Sequence, residues 1–425
     1  MSRLSDARKV AARTIQKVTS DGAYSNLVLN AALGESNLSG EDKSFCTALF
    51  YGTLDRMVTV DFFLKKLIKT PLKKLKPFTL AVLRTAVYQI KYMDRVPDSA
   101  AVNEAVKLIK ASDEGFNASF VNGVLRNLLR TEIPLPSGNS IYDVSVETSC
   151  PQWIVSSLIA DYGADFTRNF LLSANVAPPL FVRVNTAKTD KESLKKLLSE
   201  QGVECVDTAS EKGLELRMKG SVEELEAYAK GLFFVQDLSC QQAVEMLNVA
   251  ETDRVLDLCA APGGKSFTAA GFAEKGEVVA CDLYEQRVGL IKKGADRLGL
   301  KNVTASVADA SVFDEKLGLF DKIICDVPCS GLGVIRRKPD IKLKQQDSFE
   351  ELAELQLCIL TNAVNYLKSG GYLLYSTCTL NKKENRGNVD RFLSVNSGFE
   401  LISEKTFTPM EDGSDGFYAA VIRKL

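Results

Sequence analysis

Residues 255–266 read VLDLCAAPGGKS, a short apolar run that ends in two adjacent glycines and continues into a helical pattern. An apolar run of this length, bounded by turn residues, predicts a buried strand. Gly263 and Gly264 let the backbone turn sharply after that strand and approach a ligand closely. The stretch therefore predicts the first strand, turn and helix of a doubly wound α/β sheet.

Four further apolar runs follow this stretch, and helical patterns separate most of them. They read GEVVACD, NVTASVAD, FDKIICDVP and GGYLLYSTC, and all are rich in small or branched apolar residues. Strands that are apolar on both faces and joined by helices indicate a parallel sheet covered by helices. We therefore expect residues 237–425 to form a Rossmann-like α/β domain with a doubly wound sheet.

The remainder of the 425-residue chain predicts two more folded parts. Residues 1–135 are expected to form an all-α bundle, because apolar residues recur there at spacings of three and four. Residues 136–149 overlap TEIPLPSGNS, a stretch rich in Pro, Gly and Ser, and are expected to be a linker. Residues 150–236 mix helical and strand patterns and predict a small α+β module. The protein is thus expected to be multidomain.

The charge is unevenly distributed along a chain whose formal net charge is −1. Residues 1–140 carry 20 Lys and Arg against 13 Asp and Glu, and six of these lysines lie within residues 65–76, KKLIKTPLKKLK. Clustered lysines form either a solvated face or a surface that binds the phosphates of a nucleic acid. Lys73 and Lys74 are therefore candidates for contact with RNA.

Composition excludes several classes of protein. The chain has no apolar run of the length a membrane span requires, and its first residues lack the apolar segment of a secretory signal. We expect a cytoplasmic protein without a membrane partner. Histidine is absent and the ten cysteines form no C-x-x-C pair, so the common redox motif and mixed Cys/His zinc sites are excluded. We expect no metal.

The glycine turn favours a ligand that has a ribose but no chain of phosphates. GGKS suggests a triphosphate loop, but Cys259 stands where that loop requires glycine, and G-x-G-x-x-G is also missing. Asp282 ends the second strand, where a carboxylate can bind both ribose hydroxyls. Asp309 follows the third strand, where it either binds an adenine amino group or caps a helix. S-adenosylmethionine fits these features.

Two other strand ends face the same crevice, one carrying Asp326 and Cys329 and the other carrying Cys378. Carbon 5 of a pyrimidine becomes nucleophilic when a thiolate adds to carbon 6. An acid near ring nitrogen 3 stabilises the developing charge, and a base must then remove the proton on carbon 5. Cys378, Asp326 and Cys329 can supply these three groups. The alternative is that Cys378 is a small buried thiol and that Cys329 only shapes its loop.

The combination of CAAPGGK, DVPCSG and YSTCT resembles the RNA 5-methylcytosine methyltransferases. The segments VNEAVKLIK and FVNGVLRNLL resemble the NusB-like RNA-binding domain, which bacterial 16S ribosomal RNA methyltransferases of this kind carry at the front. The resemblance implies that Cys378 is the nucleophile and that Cys329 assists product release. It implies S-adenosylmethionine contacts from Cys259, Ala260, Ala261, Pro262, Gly263, Gly264, Lys265, Asp282, Asp309 and Asp326.

FVRVNT is similar to the family's Arg-x-Asn element, which implies that Arg183 and Asn185 contact the target RNA. Two segments depart from the family pattern. Lys338 and Leu343 stand where relatives usually carry His and Trp, and NKKEN replaces the commoner Pro-Glu-Glu-Asn. The implied partner is 16S ribosomal RNA in its free or early-assembly form, bound by a monomer.

Three other functions remain open from the sequence. The chain could methylate cytosine in another RNA such as transfer RNA. It could be a non-catalytic RNA-binding factor with a decayed cofactor pocket, although the glycine turn, Asp282 and the paired cysteines are intact. It could methylate an amino group, but such enzymes carry an Asp/Asn-Pro-Pro-aromatic loop where this chain has DVPCSG.

Overall fold

The computed structural model describes residues 3–21, 25–349 and 351–425. The chain divides into two compact units. One unit comprises Met1–Asn175 and Lys338–Lys344, and the other comprises Val176–Arg337 and Gln345–Leu425. None of the helices in the described ranges combines the length and the apolar character that a membrane crossing requires.

The first unit is built from α-helices, which confirms the predicted helical bundle. Apolar side chains such as Phe63, Phe78 and Leu125 meet in its buried core. A second cluster forms around Ile15 and Phe50. The helices are α1 (Arg3–Asp21), α2 (Ser25–Glu35), α3 (Gly40–Asp55), α4 (Met57–Leu67), α5 (Pro77–Tyr92), α6 (Asp98–Lys110), α7 (Ala118–Arg130), α8 (Ile141–Thr148), α9 (Gln152–Tyr162) and α10 (Ala164–Ser173).

The segment expected to be a linker differs from that expectation in its second half, which is helix α8. Ser140 and Asp143 form a capping box, in which each side chain accepts a hydrogen bond from the other residue's backbone N–H. Val144 and Val146 are buried. A local cap and two apolar contacts therefore order a stretch whose Pro, Gly and Ser content suggested a linker.

The second unit begins with a small antiparallel sheet of strand order β2-β3-β1-β4. Val182, Leu214 and Phe233 from three of its strands pack against Leu194 of the accompanying helix. This arrangement confirms a small α+β module, whereas residues 150–175, which were expected to belong to it, lie in the first unit. Its elements are β1 (Leu180–Val184), α11 (Lys191–Glu200), β2 (Glu204–Asp207), β3 (Gly213–Arg217), α12 (Glu226–Ala229) and β4 (Phe233–Val235).

The larger sheet of the second unit has seven strands in the order β10-β11-β9-β8-β5-β6-β7. Helices separate most of its strands along the chain. Its elements are α13 (Leu238–Met246), β5 (Arg254–Asp257), α14 (Gly264–Ala270), β6 (Glu277–Asp282), α15 (Glu285–Leu298), β7 (Val303–Val307), β8 (Phe320–Asp326), α16 (Leu352–Ala363), β9 (Leu367–Thr377), α17 (Arg386–Val395), β10 (Phe399–Phe407), α18 (Pro409–Asp412) and β11 (Phe417–Lys424).

Strands β5 to β9 pair in parallel, which confirms the doubly wound sheet. The strand order reverses between β5 and β8, so a crevice opens there at the carboxyl ends of the strands. The hairpin of β10 and β11 is an addition, joined antiparallel to β9. The strand patterns read from the sequence did not include it.

Candidate active site

Two cysteines meet at the carboxyl edge of the larger sheet. The sulfur atoms of Cys329 and Cys378 lie 3.2 Å apart. Cys378 directly follows β9, and Cys329 lies three residues beyond the end of β8. Because β8 and β9 are adjacent and parallel, their ends meet at the same edge of the sheet. The structure thus brings together the two thiols that the sequence singled out.

The two thiols are not equivalent. The hydrogen bond to Cys378 raises the pKa of Cys329 well above its ordinary value, and burial and the charges of Cys378, Glu384 and Asp326 act in the same direction. Cys329 therefore keeps its proton near neutral pH, and either sulfur can be the donor in the contact between the two thiols. When Cys329 is the donor, it stabilises negative charge on the Cys378 sulfur.

Backbone hydrogen bonds fix the loops that carry these thiols. The Gly333 N–H donates to the carbonyl oxygen of Cys378 at 3.1 Å, and the Gly416 N–H donates to the carbonyl oxygen of Gly333 at 3.0 Å. A side chain at Gly333 would collide with the Gly416 carbonyl, so only glycine allows this approach. The hydrogen bond from Gly333 to the backbone carbonyl therefore holds Cys378, the candidate nucleophile, in place.

Asp326, the last residue of β8, is the centre of a polar group beside the thiols. Its Oδ2 accepts a hydrogen bond from Lys265 Nζ at 2.7 Å, and its Oδ1 accepts one from Ser376 Oγ at 2.9 Å. Burial alone would lower the pKa of Lys265, but the charge and hydrogen bond of Asp326, together with the charges of Cys240 and Asp257, outweigh burial and raise the pKa. Lys265 is thus an ammonium that donates a charge-assisted hydrogen bond to Asp326.

The glycine turn connects β5 to α14 and is shaped by its backbone. Gly263 has φ of 113°, and a side chain there would collide with the Phe267 ring. The Ala260 N–H donates to the carbonyl oxygen of Cys281 at 2.8 Å, which ties the turn to β6. The predicted cofactor residues from Cys259 to Lys265 all lie in this turn and at the start of α14. Their contact with a cofactor stays a prediction.

Two carboxylates flank the turn. Asp257 is fully buried, and its Oδ2 accepts a hydrogen bond from Ser266 Oγ at 2.7 Å. Its Oδ1 has no partner among the residues that the structure describes, and burial raises the pKa of Asp257 to about 7. Asp282 accepts hydrogen bonds from the N–H groups of Ala261 and Tyr284, each at 3.3 Å. An acceptor without a partner at a glycine turn fits a ligand that carries hydrogen-bond donors.

Asp309 lies beyond β7 on the surface. Its Oδ1 accepts hydrogen bonds from the backbone N–H and the hydroxyl of Ser311, at 2.9 and 2.6 Å. These bonds lower the pKa of Asp309, so the carboxylate is charged at neutral pH. The interaction is that of a local turn, and binding of adenine by Asp309 stays a prediction.

Arg183 and Asn185 lie inside the second unit, each 5% exposed. The Arg183 guanidinium donates to Glu245 Oε1 at 2.8 Å. The Asn185 amide donates to the carbonyl oxygens of Gly231 and Leu298, at 2.7 and 2.8 Å. These bonds fasten β1 to other elements of the unit, so the structure shows a role in folding. Contact of Arg183 and Asn185 with RNA stays a prediction.

Lys73 and Lys74 lie on the surface of the first unit, in the 3-10 turn Leu72–Lys74 that precedes α5. The lysine face comprises six exposed side chains: Lys65, Lys66, Lys69, Lys73, Lys74 and Lys76. Within the described ranges no carboxylate forms an ion pair with any of them. Their positive charge is therefore available to an anionic partner.

Sequence reasoning did not identify two buried polar residues beside the thiols. Glu384 Oε2 accepts hydrogen bonds from the Ser330 N–H at 2.9 Å and from Gln356 Nε2 at 2.8 Å. Glu384 belongs to the NKKEN segment, six residues after Cys378. An acidic residue so close to a nucleophile was the available signal, whereas nothing local marks Gln356.

Comparison with known proteins divides the chain into three matched regions. Residues 244–423 match the family described as 16S rRNA methyltransferase RsmB/F. Residues 5–130 match the NusB family, and residues 150–223 match the ferredoxin-like domain of RsmF/B-like methyltransferases. These matches agree with the resemblance inferred from the motifs.

Whole-chain relatives give the same result. A probable ribosomal RNA small subunit methyltransferase B of Bacillus subtilis strain 168 is 35% identical, with 98% of each chain covered. The ribosomal RNA small subunit methyltransferase B of Escherichia coli O1:K1 / APEC is 31% identical, with 100% of each chain covered. The crystal structure of PH0851 covers 100% of this chain and 99% of its own with a TM-score of 0.81 and 24% identity, which shows a shared fold.

Proposed function

Since the chain belongs to the ribosomal RNA small subunit methyltransferase B family, we propose that it methylates carbon 5 of a cytosine in 16S ribosomal RNA. The observation that supports carbon as the target is the pair of thiols, 3.2 Å apart, beside Asp326. Transfer to an amine needs only a lone pair directed at the methyl donor, so it has no use for a thiol. A ring carbon must first be activated by a nucleophile.

The first half of the reaction uses Cys378 and the Lys265–Asp326 pair. The target cytosine leaves its stack so that carbon 6 is exposed to attack from the ring face. The thiolate electron pair of Cys378 forms the sulfur–carbon 6 bond, and nitrogen 3 receives a proton that Asp326 relays from solvent. Carbon 5 is now part of an enamine, which is nucleophilic.

Bound S-adenosylmethionine supplies an electrophilic methyl group to that carbon. Cys329, after its own proton has gone to water, removes the proton from carbon 5. The electron pair of that C–H bond restores the ring double bond, the bond between carbon 6 and sulfur breaks, and Cys378 leaves as a thiolate. Nitrogen 3 returns its proton through Asp326 to solvent. One proton is released to solvent for each methyl group transferred.

The residues of the glycine turn fit S-adenosylmethionine. In this proposal Asp282, at the end of β6, accepts hydrogen bonds from the ribose hydroxyls. The acceptor of Asp257 without a partner lies beside the same turn, where a donor of the ligand would satisfy it. We assign the remaining contacts to the backbone from Cys259 to Lys265, with Asp309 binding the adenine amino group.

The lysine face is proposed as an RNA-docking surface of a monomer that acts in the cytoplasm on free or early-assembly RNA. Replacing Lys73 and Lys74 by Glu should weaken binding of a 16S ribosomal RNA transcript and reduce the slope of log affinity against log salt by about 2. Lys230 and Lys275 pair with Glu226 and Glu251, so their double reversal is the matched control. An unchanged slope in the Lys73/Lys74 variant would refute the docking surface.

The function itself is tested with the full-length protein, S-adenosylmethionine labelled in the methyl group, and unmodified 16S ribosomal RNA or transfer RNA. Nucleoside analysis should find 5-methylcytidine in 16S ribosomal RNA. Label in an exocyclic amino group, or in transfer RNA alone, would contradict the proposal. Binding of RNA with no transfer of label would favour the non-catalytic alternative.

A further inference from the structure

Two buried side chains hold the peptide groups on both sides of Cys329. The carbonyl oxygen of Pro328 accepts a hydrogen bond from Gln356 Nε2 at 2.9 Å. The N–H of Ser330 donates to Glu384 Oε2 at 2.9 Å. The two holding side chains are themselves bonded, Gln356 Nε2 to Glu384 Oε2 at 2.8 Å. Cys329 is therefore fixed at its preceding carbonyl and at its following amide.

Glu384 has the surroundings of a charged carboxylate. It is 1% exposed, and a third donor, Asn381 Nδ2, reaches its Oε1 at 3.0 Å. Both carboxyl oxygens thus act as acceptors, as they do in the ionised form. No Lys or Arg forms an ion pair with Glu384 in the part of the chain that the structure describes. The charge of Glu384 acts on Cys329 and contributes to raising the pKa of that thiol.

The segment that carries Glu384 also supports the strand that carries Cys378. The Asn385 side chain accepts a hydrogen bond from Thr377 Oγ1 at 2.5 Å and donates one to the carbonyl oxygen of Thr379 at 2.9 Å. These bonds fall on the residues immediately before and after Cys378. One buried segment, Glu384 and Asn385, therefore contacts the residues next to both thiols.

We propose that Glu384 is a positioning residue that, with Gln356, holds Cys329 against Cys378 and keeps the proton on Cys329 until Cys378 has bonded to the cytosine. The proposal rests on the proposed function, because it concerns the release step of that reaction. Glu384 lies outside YSTCT, the motif that carries Cys378, so the proposal adds a residue to the site.

The order of events follows from what changes when Cys378 reacts. The hydrogen bond with Cys378 is the main reason that the pKa of Cys329 is raised, followed by burial and by the charges of Cys378, Glu384 and Asp326. Bonding to carbon 6 turns the Cys378 sulfur into a neutral thioether, which removes its charge and weakens it as an acceptor. The Glu384 charge remains. Cys329 therefore loses its proton to water more readily after the thioether forms, when a base is required.

The acidic and phenolic groups near Cys329 define what can be tested by pH. The phenol of Tyr375 is buried on β9, and its pKa is raised by burial. The titratable groups that face Cys329 are Cys378, Glu384, Asp326 and Tyr375. The experiment below changes Glu384 and leaves the other three groups as they are.

Glu384→Gln in the full-length protein is the test, because it removes the charge and keeps an acceptor for Ser330. The rate at which the covalent RNA–protein intermediate decays is measured in a single turnover as a function of pH. We expect the rising limb of the plot of decay rate against pH to move to lower pH. At pH values below this limb the intermediate should therefore decay faster than in the wild-type protein. Above the limb the decay is slower than wild type, because a thiolate of lower pKa is a weaker base. A rate that changes by the same factor at every pH, or an unchanged profile, would overturn the proposal.

Two further variants separate charge from position. Glu384→Asp keeps the charge but withdraws it from Ser330, so the limb should stay at the wild-type pH while the rate falls. A wild-type rate in this variant would overturn the positioning role, including when the Gln variant does not fold. Glu400→Gln is the surface control, since Glu400 is 44% exposed beside Arg423 and should leave the profile unchanged.

Failure of this inference can be distinguished from failure of the proposed function. Cys329→Ala should accumulate the covalent intermediate, because the base is gone while the nucleophile remains. If Cys329→Ala accumulates none, the proposed chemistry is wrong. If it accumulates the intermediate and Glu384→Gln leaves the pH profile unchanged, only the role of Glu384 is wrong.

Discussion

The two halves of the site are held in different ways. The turn between β5 and α14 owes its shape to the backbone, with Gly263 at φ of 113°. The loops after β8 and β9 owe theirs to buried polar side chains, of which Glu384 and Gln356 contact the backbone beside Cys329. A backbone turn depends on one residue type at one position, whereas a side-chain network depends on several partners that are distant in sequence.

Lys265 joins the two halves, and its loss should have the largest effect on stability. Lys265→Met leaves Asp326 without its cation; breaking a fully buried pair costs about 3–5 kcal/mol of unfolding free energy, and because Asp326 is 29% exposed we expect a loss of about 2–3 kcal/mol here. Lys275→Met removes an exposed pair with Glu251 and should cost at most about 1 kcal/mol. Urea unfolding at constant pH measures both. Equal losses in the two variants would show that Lys265 does not link the halves.

Asp257 lies beside the turn between β5 and α14, and its ionisation makes the folding stability depend on pH. Burial raises the pKa of Asp257 from 3.8 to about 7 in the folded protein, so the native state binds this proton more tightly than the unfolded chain. The resulting stability is complete below pH 3.8 and is lost as the pH rises through about 7. Asp257→Asn has no carboxyl group to ionise at this position, so the folding stability of this variant does not fall in this way as the pH rises. Its stability relative to wild type should therefore rise by about 2–3 kcal/mol between pH 5 and pH 8.

Thermal or urea unfolding of both proteins without cofactor, at several pH values, measures that difference. A difference that stays constant over the range would show that Asp257 is ionised in the folded protein throughout. Glu274 and other surface carboxylates contribute equally to both proteins, so they cancel in the comparison.

Gly263 tests whether the backbone alone shapes the turn, with a smaller effect on stability. Gly263→Ala places a side chain at positive φ against the Phe267 ring, and we expect a loss of about 1–2 kcal/mol together with weaker S-adenosylmethionine binding. Gly289 lies within α15 with no atom within 4 Å of an added side chain. Gly289→Ala should therefore stabilise the protein by about 0.5–1 kcal/mol. Changes of the same sign in both variants would contradict this.

The comparison also explains what the sequence could predict. The strand, turn and helix around Gly263 were predictable because a glycine pair after an apolar run has few structural solutions. The thiols were predictable because parallel strand ends share one edge of a sheet. The partners Lys265–Asp326 and Ser330–Glu384 lie 61 and 54 residues apart in sequence, so no local pattern indicates them.

Some features of the fold were missed for a related reason. Helix α8 is ordered by the capping box of Ser140 and Asp143, within a stretch whose composition predicted a linker. Strand β11 is almost wholly buried and pairs with β9, a contact between distant segments that decides its conformation. Tertiary contacts outweighed local composition in both places.

The most direct test of the central claim, a bond between the Cys378 sulfur and carbon 6 of cytosine, is a denaturing gel of each cysteine variant incubated with labelled 16S ribosomal RNA and S-adenosylmethionine. Cys329→Ala should retain labelled RNA on the denatured protein, and Cys378→Ala should retain none and form no 5-methylcytidine. Wild-type methylation by Cys378→Ala would contradict the account.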